Sequence, residues 1–270
     1  KQRRMSSFIL QQQEEVIALA QFDIKNAVLK KCILKEGETV ITVPDGVTVI
    51  GKDALCGLQS VIAVTLPESL KVINDGAFYG CSSLTSVTLP GGVERLGSCA
   101  FAQCSALNTI YLDNKLTEIG NSAFWGCTSL ESIDIPTGVT KIGYNLFGSC
   151  LSLISVSLPD TVTELDERAF KECTSLAYIT LPDSLLKIGN MAFLNCHSLR
   201  SVNIPDRLES IGEKAFFMCE SLNELEIPDG IISVGGDAFS DCVSVTVRST
   251  ISGKPLYKAV TATDGSSVYN

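Results

Sequence analysis

Short apolar alternations recur along most of the chain at a fixed spacing. Segments such as Val87-Thr88-Leu89 and Ile179-Thr180-Leu181 are rich in β-branched residues, alternate inward and outward positions, and end at a proline. Because proline cannot donate to a strand ladder, each segment predicts a short parallel strand that ends there. A second apolar pair at i and i+3, for example Val93 and Leu96, predicts a further buried stretch after each strand.

The spacing is set by a 23-residue unit. Eight cysteines follow it, at positions 81, 104, 127, 150, 173, 196, 219 and 242. A phenylalanine precedes each by three residues, and an alanine precedes that, with Leu146 as the exception; prolines keep the same period except at Asp113. The consensus is [VI]-x-[LIV]-P-x-x-[VL]-x-x-[IL]-G-x-x-A-F-x-x-C-x-S-L-x-x, repeated nine times from Ile41 to Val247. One such unit cannot bury its apolar face alone, so the sequence predicts a stacked solenoid.

Two positions of the unit predict local backbone structure. The eleventh position holds only glycine, asparagine or aspartate: Gly51, Asn74, Gly97, Gly120, Gly143, Asp166, Gly189, Gly212 and Gly235. These residue types tolerate positive φ at least cost, so a left-handed corner is expected there. The following x-x-A-F-x-x-C stretch has the spacing of one or two helical turns with Phe and Cys on one side, and we expect a short helical segment.

Three regions follow from the limits of the repeat. Residues 1–40 are expected to cap the amino end, with Ser6 or Ser7 as N-cap of a helix through Ala20 and a strand at Ala27-Val28-Leu29. Residues 41–247 form the nine-unit array. Residues 248–270, which are polar and contain glycine and proline, are expected to close or trail from the other end.

The pattern G-x-x-A-F-x-x-C-x-S-L-x-x-[IV]-x-[IL]-P resembles the BspA-type leucine-rich repeat, over roughly residues 28 to 247. The resemblance implies a right-handed curved α/β leucine-rich-repeat solenoid, with a parallel β-sheet on one face and short helical turns on the other. It also implies a bacterial surface or secreted protein, some relatives being linked to adhesion, and no catalytic residues shared within the family. The departures from the pattern are Asp113, Leu146 and a shifted last strand at Val245-Thr246-Val247.

Composition narrows the possible partners. Apolar residues make up 45% of the chain and charged residues 19%, a composition that folds. A net charge of -9 argues against nucleic acid and against anionic membrane surfaces. No apolar run reaches the length of a bilayer span, so no membrane insertion is expected. The amino end, with only Phe8-Ile9-Leu10 as an apolar run, does not predict a signal peptide.

The sequence predicts no catalytic, cofactor-binding or metal-binding residues. The ladder cysteines are expected to be buried, unbridged thiols, although neighbouring ones are close enough for disulfides; free thiols suit a reducing cytosol or an anaerobic niche. Cys56 and Cys99 occupy variable, more exposed places. His197 is expected at the surface without a fixed catalytic partner. The acidic pairs Asp134 with Glu131 and Glu224 with Glu226 are expected to be ordinary solvated charges.

Two surfaces are candidates for binding. The outward strand positions are rich in hydroxyl groups and become acidic toward the carboxyl end, which favours a partner site around five residues: Tyr111, Asp134, Tyr178, Glu224 and Glu226. The sequence leaves an alternative equally open: these serines and threonines occur there only because they are favourable in solvent-exposed strands. A rival surface is formed by Tyr79, Trp125 and Phe217, beside Leu194 and Met218, where packing between units is the competing interpretation.

These observations predict a non-enzymatic binding or adhesion module with a protein or glycan partner. An intracellular interaction scaffold is the alternative, and a recognition region attached to an enzyme outside this chain is a third possibility. The resemblance favours the cell surface or secretion, and a cytoplasmic protein is the alternative.

Overall fold

The computed structural model describes residues 20–228, 230–242 and 246–248, which form a parallel β-solenoid of about nine coils. Coil 1 spans residues 41–63, and each later coil takes the next 23, so coil 4 is 110–132 and coil 5 is 133–155. Most coils contribute one strand to each of two sheets. The solenoid and its 23-residue period are therefore confirmed.

The first sheet contains the strand that precedes the proline position of each coil. Its strands are β3 (Val40–Thr42), β5 (Ala63–Thr65), β7 (Ser86–Thr88), β9 (Thr109–Tyr111), β11 (Ser132–Asp134), β13 (Ser155–Ser157), β15 (Tyr178–Ile179), β17 (Ser201–Val202), β19 (Glu224–Glu226) and β21 (Thr246–Arg248). Neighbouring strands are parallel and usually pair residues 23 apart, as in Thr88 with Tyr111. At the carboxyl end Glu224 pairs with Thr246, 22 residues on, which accounts for the shifted last strand.

The second sheet arises from the second apolar pair of each unit, which is buried as expected but also begins a short strand. Its strands after the amino-terminal hairpin are β4 (Val49–Ile50), β6 (Val72–Ile73), β8 (Arg95–Leu96), β10 (Glu118–Ile119), β12 (Lys141–Ile142), β14 (Glu164–Leu165), β16 (Lys187–Ile188), β18 (Ser210–Ile211) and β20 (Ser233–Val234). In each, the second residue points into the core, and Val93 and Leu96 are at most 1% exposed.

An antiparallel hairpin precedes the array. Strand β1 (Gln21–Lys25) pairs with β2 (Val28–Ile33), and both turn residues, Asn26 and Ala27, have positive φ, as a two-residue type I′ hairpin requires. Strand β2 then pairs in parallel with β4, so it leads the second sheet into the coils. The helix expected before Ala20 lies outside the described residues.

The expectation of short helical segments is wrong for the described residues, where the x-x-A-F-x-x-C stretch forms a ribbon of consecutive turns. In coil 3, Ala100, Ala102 and Cys104 donate their backbone N–H groups to the carbonyls of Gly97, Cys99 and Phe101, always three residues back. The intervening N–H groups point instead to the next coil, as in Phe101 to Ala123 at 2.8 Å. Alternation between bonds within and between coils excludes the i to i−4 pattern of an α-helix.

The positive-φ corner was also placed wrongly. None of the nine residues at the eleventh position has positive φ, whereas all nine at the thirteenth and all nine at the seventeenth do. The thirteenth are Asp53, Gly76, Cys99, Ser122, Asn145, Arg168, Met191, Lys214 and Asp237; the seventeenth are Gly57, Gly80, Gln103, Gly126, Ser149, Glu172, Asn195, Met218 and Asp241. Each is the third residue of a turn in the ribbon, where positive φ is what a type II turn requires.

Close approach between coils explains the restriction at the eleventh position. A Cβ on Gly189 would lie 2.6 Å from the carbonyl carbon of Asp166, closer than real Cβ atoms come to backbone. Where a side chain does occur, it turns outward to a polar partner: Asn74 accepts a hydrogen bond from Arg95, and Asp166 lies 3.0 Å from Lys141. Glycine is therefore selected here by space and not by φ.

Three ladders fill the core between the sheets and the ribbon. The phenylalanines from Phe78 to Phe239 stack ring on ring, with centroids 4.8–5.9 Å apart and planes within 13°. The cysteine and leucine positions form the other two ladders, and both are buried from coil to coil. Stacking identical coils thus removes from water the apolar surface that a single unit would expose.

Candidate functional site

The outward face of the first sheet, here called the strand face, carries two rows of side chains. The first row is Thr42, Thr65, Thr88, Tyr111, Asp134, Ser157, Thr180, Asn203 and Glu226, and all of them are exposed. The second row runs beside it: Val40, Ala63, Ser86, Thr109, Ser132, Ser155, Tyr178 and Ser201. Strand alternation places both rows outward because the residue between them, such as Ile110 or Ile133, points into the core.

Tyr111 and Tyr178 are the aromatic residues of this face, at 68% and 56% exposed. They do not form a contact pair, because they lie in different rows and on strands that are three steps apart in the array, a separation of about 14 Å. Arg200 of the following coil donates a hydrogen bond to the Tyr178 hydroxyl at 3.4 Å. The two rings therefore mark the ends of a polar strip and do not form one aromatic platform.

Between the tyrosines, Asp134 is exposed on β11, where its neighbour in register is Ser157. Glu226 is exposed on β19, three coils beyond Ser157, and Glu224 lies on the same strand with a side chain that the structure does not describe. The predicted partner residues thus lie on strands of one sheet but span several coils. A ligand that contacts all of them has to be extended.

Sequence reasoning missed apolar residues at the margin of the strand face. Val40, Ile62 and Ile154 are 53%, 45% and 55% exposed. Ile62 and Ile154 occupy the twenty-second position of the unit, where most coils carry a polar residue, so the signal was a departure from the repeat. They add contact area beside the hydroxyl rows.

The rival surface lies on the ribbon side. Tyr79 is 38% exposed, while Trp125 and Phe217 are half-buried. Met218, beside Phe217, is 37% exposed. These side chains are less accessible than Tyr111 and Tyr178, in keeping with packing between neighbouring turns of the ribbon.

The second sheet carries a ladder of alternating charges across its outward face. Arg95 pairs with Glu118 at 3.0 Å. Glu164 lies between two lysines, 3.1 Å from Lys141 and 2.8 Å from Lys187. The hydrogen bond from Lys187, with help from Lys141, lowers the pKa of Glu164 below its ordinary value. This face neutralises its own charges, which leaves it less suited than the strand face to a polar partner.

The cysteine ladder is buried as expected, and the structure adds a role for its sulfur. Each ladder thiol donates to the backbone carbonyl of the residue at the phenylalanine place of the preceding coil, at 3.1–3.2 Å. Burial raises the pKa of Cys127, Cys196 and Cys242 to about 12. Such thiols are protonated and unreactive near neutral pH, so they belong to the core and not to a site.

The remaining candidates for chemistry are isolated. His197 is half-exposed, and its Nδ1 lies 3.6 Å from a carboxylate oxygen of Glu220, a neighbour that a 23-residue separation hid from sequence reasoning. Cys56 is exposed and Cys99 half-buried. Among the described residues no cluster of three or more His, Cys, Asp or Glu side chains could hold a metal ion. In the same part of the chain, no helix has the length and apolarity needed to cross a bilayer.

Known structures share this architecture. A leucine-rich repeat protein from Bacteroides ovatus is 22% identical, with a TM-score of 0.63 over 86% of this chain and 81% of that one. T. pallidum leucine-rich repeat protein is 29% identical, with a TM-score of 0.62 over 67% and 88%. A leucine-rich cell surface protein from Faecalibacterium prausnitzii is 24% identical, with a TM-score of 0.54 over 86% and 93%. No match is found among curated protein sequences.

The repeat itself identifies the family. Residues 23–154 and 140–255 match the BspA type leucine-rich repeat region. These two segments together span most of the chain, including all nine coils of the array. The chain therefore belongs to the BspA-type leucine-rich repeat family.

Proposed function

We propose that this chain is a binding module that holds an extended protein or glycan partner on its strand face. The observation that carries the proposal is the exposure of Tyr111 and Tyr178 on strands whose alternate residues are locked in the core. Aromatic side chains on a strand held in this way contribute large contact area at small entropic cost, and the neighbouring hydroxyls supply adaptable hydrogen bonds. Membership of a repeat family whose folds serve protein interaction supports the same conclusion.

The proposal includes a place of action at the cell surface or outside the cell, in adhesion. It is supported by one structural relative, the protein from Faecalibacterium prausnitzii, which is described as a cell surface protein. An intracellular interaction scaffold is the second candidate. It is favoured by the nine buried cysteines, whose free thiols suit a reducing compartment.

The binding face is tested by screening the purified chain on a glycan array and on an array of extracellular matrix proteins. For each hit, two double variants are compared with the parent: Tyr111→Ala with Tyr178→Ala, and Trp125→Ala with Phe217→Ala. The tyrosine pair is expected to lose about 1 kcal/mol or more of binding for each residue, together about 30-fold in affinity. Its Tm should stay unchanged because neither side chain is in the core.

The two pairs distinguish the two surfaces. Unchanged affinity in the tyrosine variant, together with loss in the Trp125 and Phe217 variant, would move the site to the ribbon side. Absence of any hit on both arrays would favour the intracellular scaffold instead. A lowered Tm in the Trp125 and Phe217 variant alone would show that these rings pack between coils.

A further inference from the structure

The backbone ladders of both sheets are interrupted at the same place in the array. In the first sheet, β9 and β11 are adjacent but not joined by ladder hydrogen bonds, and in the second sheet the same holds for β10 and β12. The first sheet is also interrupted between β13 and β15, but there β14 and β16 remain paired. Within residues 20–228, only the junction of coils 4 and 5 lacks both ladders.

The flanking bonds show the same weakness. At other junctions the residue after the second strand donates to the preceding coil, as in Gly120 to Leu96 and Gly189 to Leu165, both at 2.8 Å. Among the described residues, the equivalent bond from Gly143 to Ile119 is not made. On the first sheet, Glu131 and Asn108 directly precede β11 and β9, and the bond from Glu131 to Asn108 is 3.5 Å long. The corresponding bond between the residues that precede β13 and β11, from Ile154 to Glu131, is 2.8 Å.

The strands of the second sheet are also further apart at this junction. A Cβ on Gly143 would find its nearest backbone atom, the Asn121 Cα, 3.9 Å away, whereas on Gly189 it would meet backbone at 2.6 Å. The core residue of β10, Ile119, is 8% exposed, while its neighbours in the ladder, Leu96 and Ile142, are fully buried. In the second sheet, the loss of hydrogen bonds therefore accompanies an opening between β10 and β12.

The ribbon, in contrast, crosses the junction intact. Ser122 donates to Tyr144 at 2.9 Å, Phe124 to Leu146 at 3.1 Å, and Gly126 to Gly148 at 2.8 Å. The rings of Phe124 and Phe147 remain stacked, with centroids 5.7 Å apart and planes within 3°. Coils 4 and 5 are thus bonded to each other along the ribbon and lack ladder hydrogen bonds along both sheets.

The two internal departures from the repeat flank this junction. Asp113, in place of proline, lies in coil 4, and Leu146, in place of alanine, lies in coil 5. Leu146 is fully buried in the ribbon, and it accepts the longest bond of its series, that from Phe124. Its additional bulk enters the ribbon at the junction where both sheets lack ladder hydrogen bonds.

We propose that the junction between coils 4 and 5 is a hinge, with the continuous ribbon as its axis. Coils 1–4 and coils 5–9 move as two rigid blocks, since within each block at least one sheet and the ribbon are continuous. Hydrogen bonds between strands restrain the opening of a solenoid along its sheets, and within residues 20–228 only this junction lacks ladder hydrogen bonds in both sheets.

The hinge divides the strand face between Tyr111 in coil 4 and Asp134 in coil 5. On the proposed function, a partner that contacts both side chains bridges the two blocks and fixes the angle between them. Part of the binding free energy is then offset by the entropic cost of ordering the hinge. A variant that stiffens the junction therefore binds the partner more tightly. The hinge itself is a property of the free chain, so it is tested without any partner.

Amide hydrogen exchange of the free chain, residues 1–270, tests the loss of hydrogen bonds at the junction. The matched amides are Gly143 at the junction and Gly120 and Gly189 at the same position elsewhere. We expect the Gly143 amide to exchange at least about tenfold faster than the other two, as local opening requires. Equal protection of the three amides would overturn the hinge.

Pulsed electron spin resonance tests the motion. Spin labels at Thr88→Cys and Ser157→Cys span three coils across the junction, and labels at Thr42→Cys and Tyr111→Cys span three coils within one block. Both pairs are made with Cys56→Ser and Cys99→Ser, which remove the accessible native thiols. A broader distance distribution for the first pair is expected; equal widths would contradict the hinge, and the exchange measurement on the unaltered chain stands if a labelled variant does not fold.

Discussion

Glycine meets two different needs at the residue scale in this chain. At the seventeenth position of the unit, glycines such as Gly57 and Gly80 have positive φ and open space around the missing Cβ. At the eleventh position, glycines such as Gly189 have ordinary φ and no space. The restriction to Gly, Asn and Asp was visible in the sequence, but it is compatible with either need. Contact between coils 23 residues apart decided between them, and sequence spacing does not show that contact.

The free energies of unfolding of three glycine-to-alanine variants, measured by chemical denaturation, distinguish the need for positive φ from the need for space. Gly57→Ala should lower the free energy of unfolding by about 1 kcal/mol, because an L-residue is strained at its φ of 73° although nothing lies within 4 Å. Gly189→Ala should cost more, about 1–3 kcal/mol, because its Cβ overlaps the backbone of Asp166. Gly236→Ala, with ordinary φ and open space, is the control and should be neutral or stabilising. Equal effects at Gly57 and Gly236 would refute the φ argument.

The buried thiols make the free energy of unfolding fall as the pH becomes alkaline. Burial raises the pKa of Cys127 and Cys196 from 9.0 in the unfolded chain to about 12. The unfolded chain therefore loses these protons first, and the stability present below pH 9 is lost as the pH rises toward 12. Near pH 10 the loss is about 1 kcal/mol for each buried thiol.

The urea midpoint at neutral pH and near pH 10 measures this loss. The double variant Cys127→Ala with Cys196→Ala should show a smaller fall in midpoint between the two pH values than the parent. Cys56→Ala removes an exposed thiol and should leave the fall nearly unchanged. If the cysteine double variant and the parent lose stability equally, the ladder thiols are not the cause.

At the scale of elements, the unit was predicted in part. The strand before the proline followed from alternation and β-branched residues, and the structure has it in every coil. The A-F-x-x-C stretch was assigned to a helix because an i, i+3 spacing places Phe and Cys on one side of a helix. The same spacing also places them on one side of a ribbon of turns. What decides against the helix is that alternate N–H groups bond to the next coil, as Phe101 does to Ala123. Local spacing carries no information about that bond.

The second sheet is stabilised between coils by its charge ladder. Glu164→Gln should lower the free energy of unfolding by about 0.5–1 kcal/mol near neutral pH, because Lys187 loses its carboxylate partner and Lys141 keeps only Asp166. The pKa of Glu164 is lowered from 4.5, so its contribution is present above that pH and lost as the pH falls through the lower, folded value.

Urea denaturation of this variant near pH 7 and near pH 3 provides the test. The difference between variant and parent should be present at the higher pH and shrink at the lower. Glu209→Gln is the control, since among the described residues Glu209 is exposed and forms no ion pair. A difference that persists unchanged in acid would assign the effect to packing and not to charge.

At the scale of the whole molecule, repetition made the fold predictable and the site hard to predict. A 23-residue period in cysteine, phenylalanine and proline fixes the stacking of coils without further information. The same repetition gives every coil a similar outward face, so Tyr111 and Tyr178 stand out only as departures from it. Asp113 and Leu146 were equally visible departures, yet their meaning lies in the bonds between coils 4 and 5. Departures from the repeat show which positions differ from their equivalents in other coils. The role of each such position follows only from its neighbours in the three-dimensional structure.

Alkylation of cysteines, mapped by mass spectrometry, tests the stacked array most directly, because the ladder cysteines report on eight successive coils. In the native chain we expect Cys56 to react readily and Cys99 more slowly, while Cys32 and the eight ladder cysteines stay protected until the chain is unfolded. After unfolding, all eleven should react as free thiols. Ladder cysteines that react in the native chain as fast as Cys56, or that are found joined in disulfides, would contradict the arrangement of coils described above.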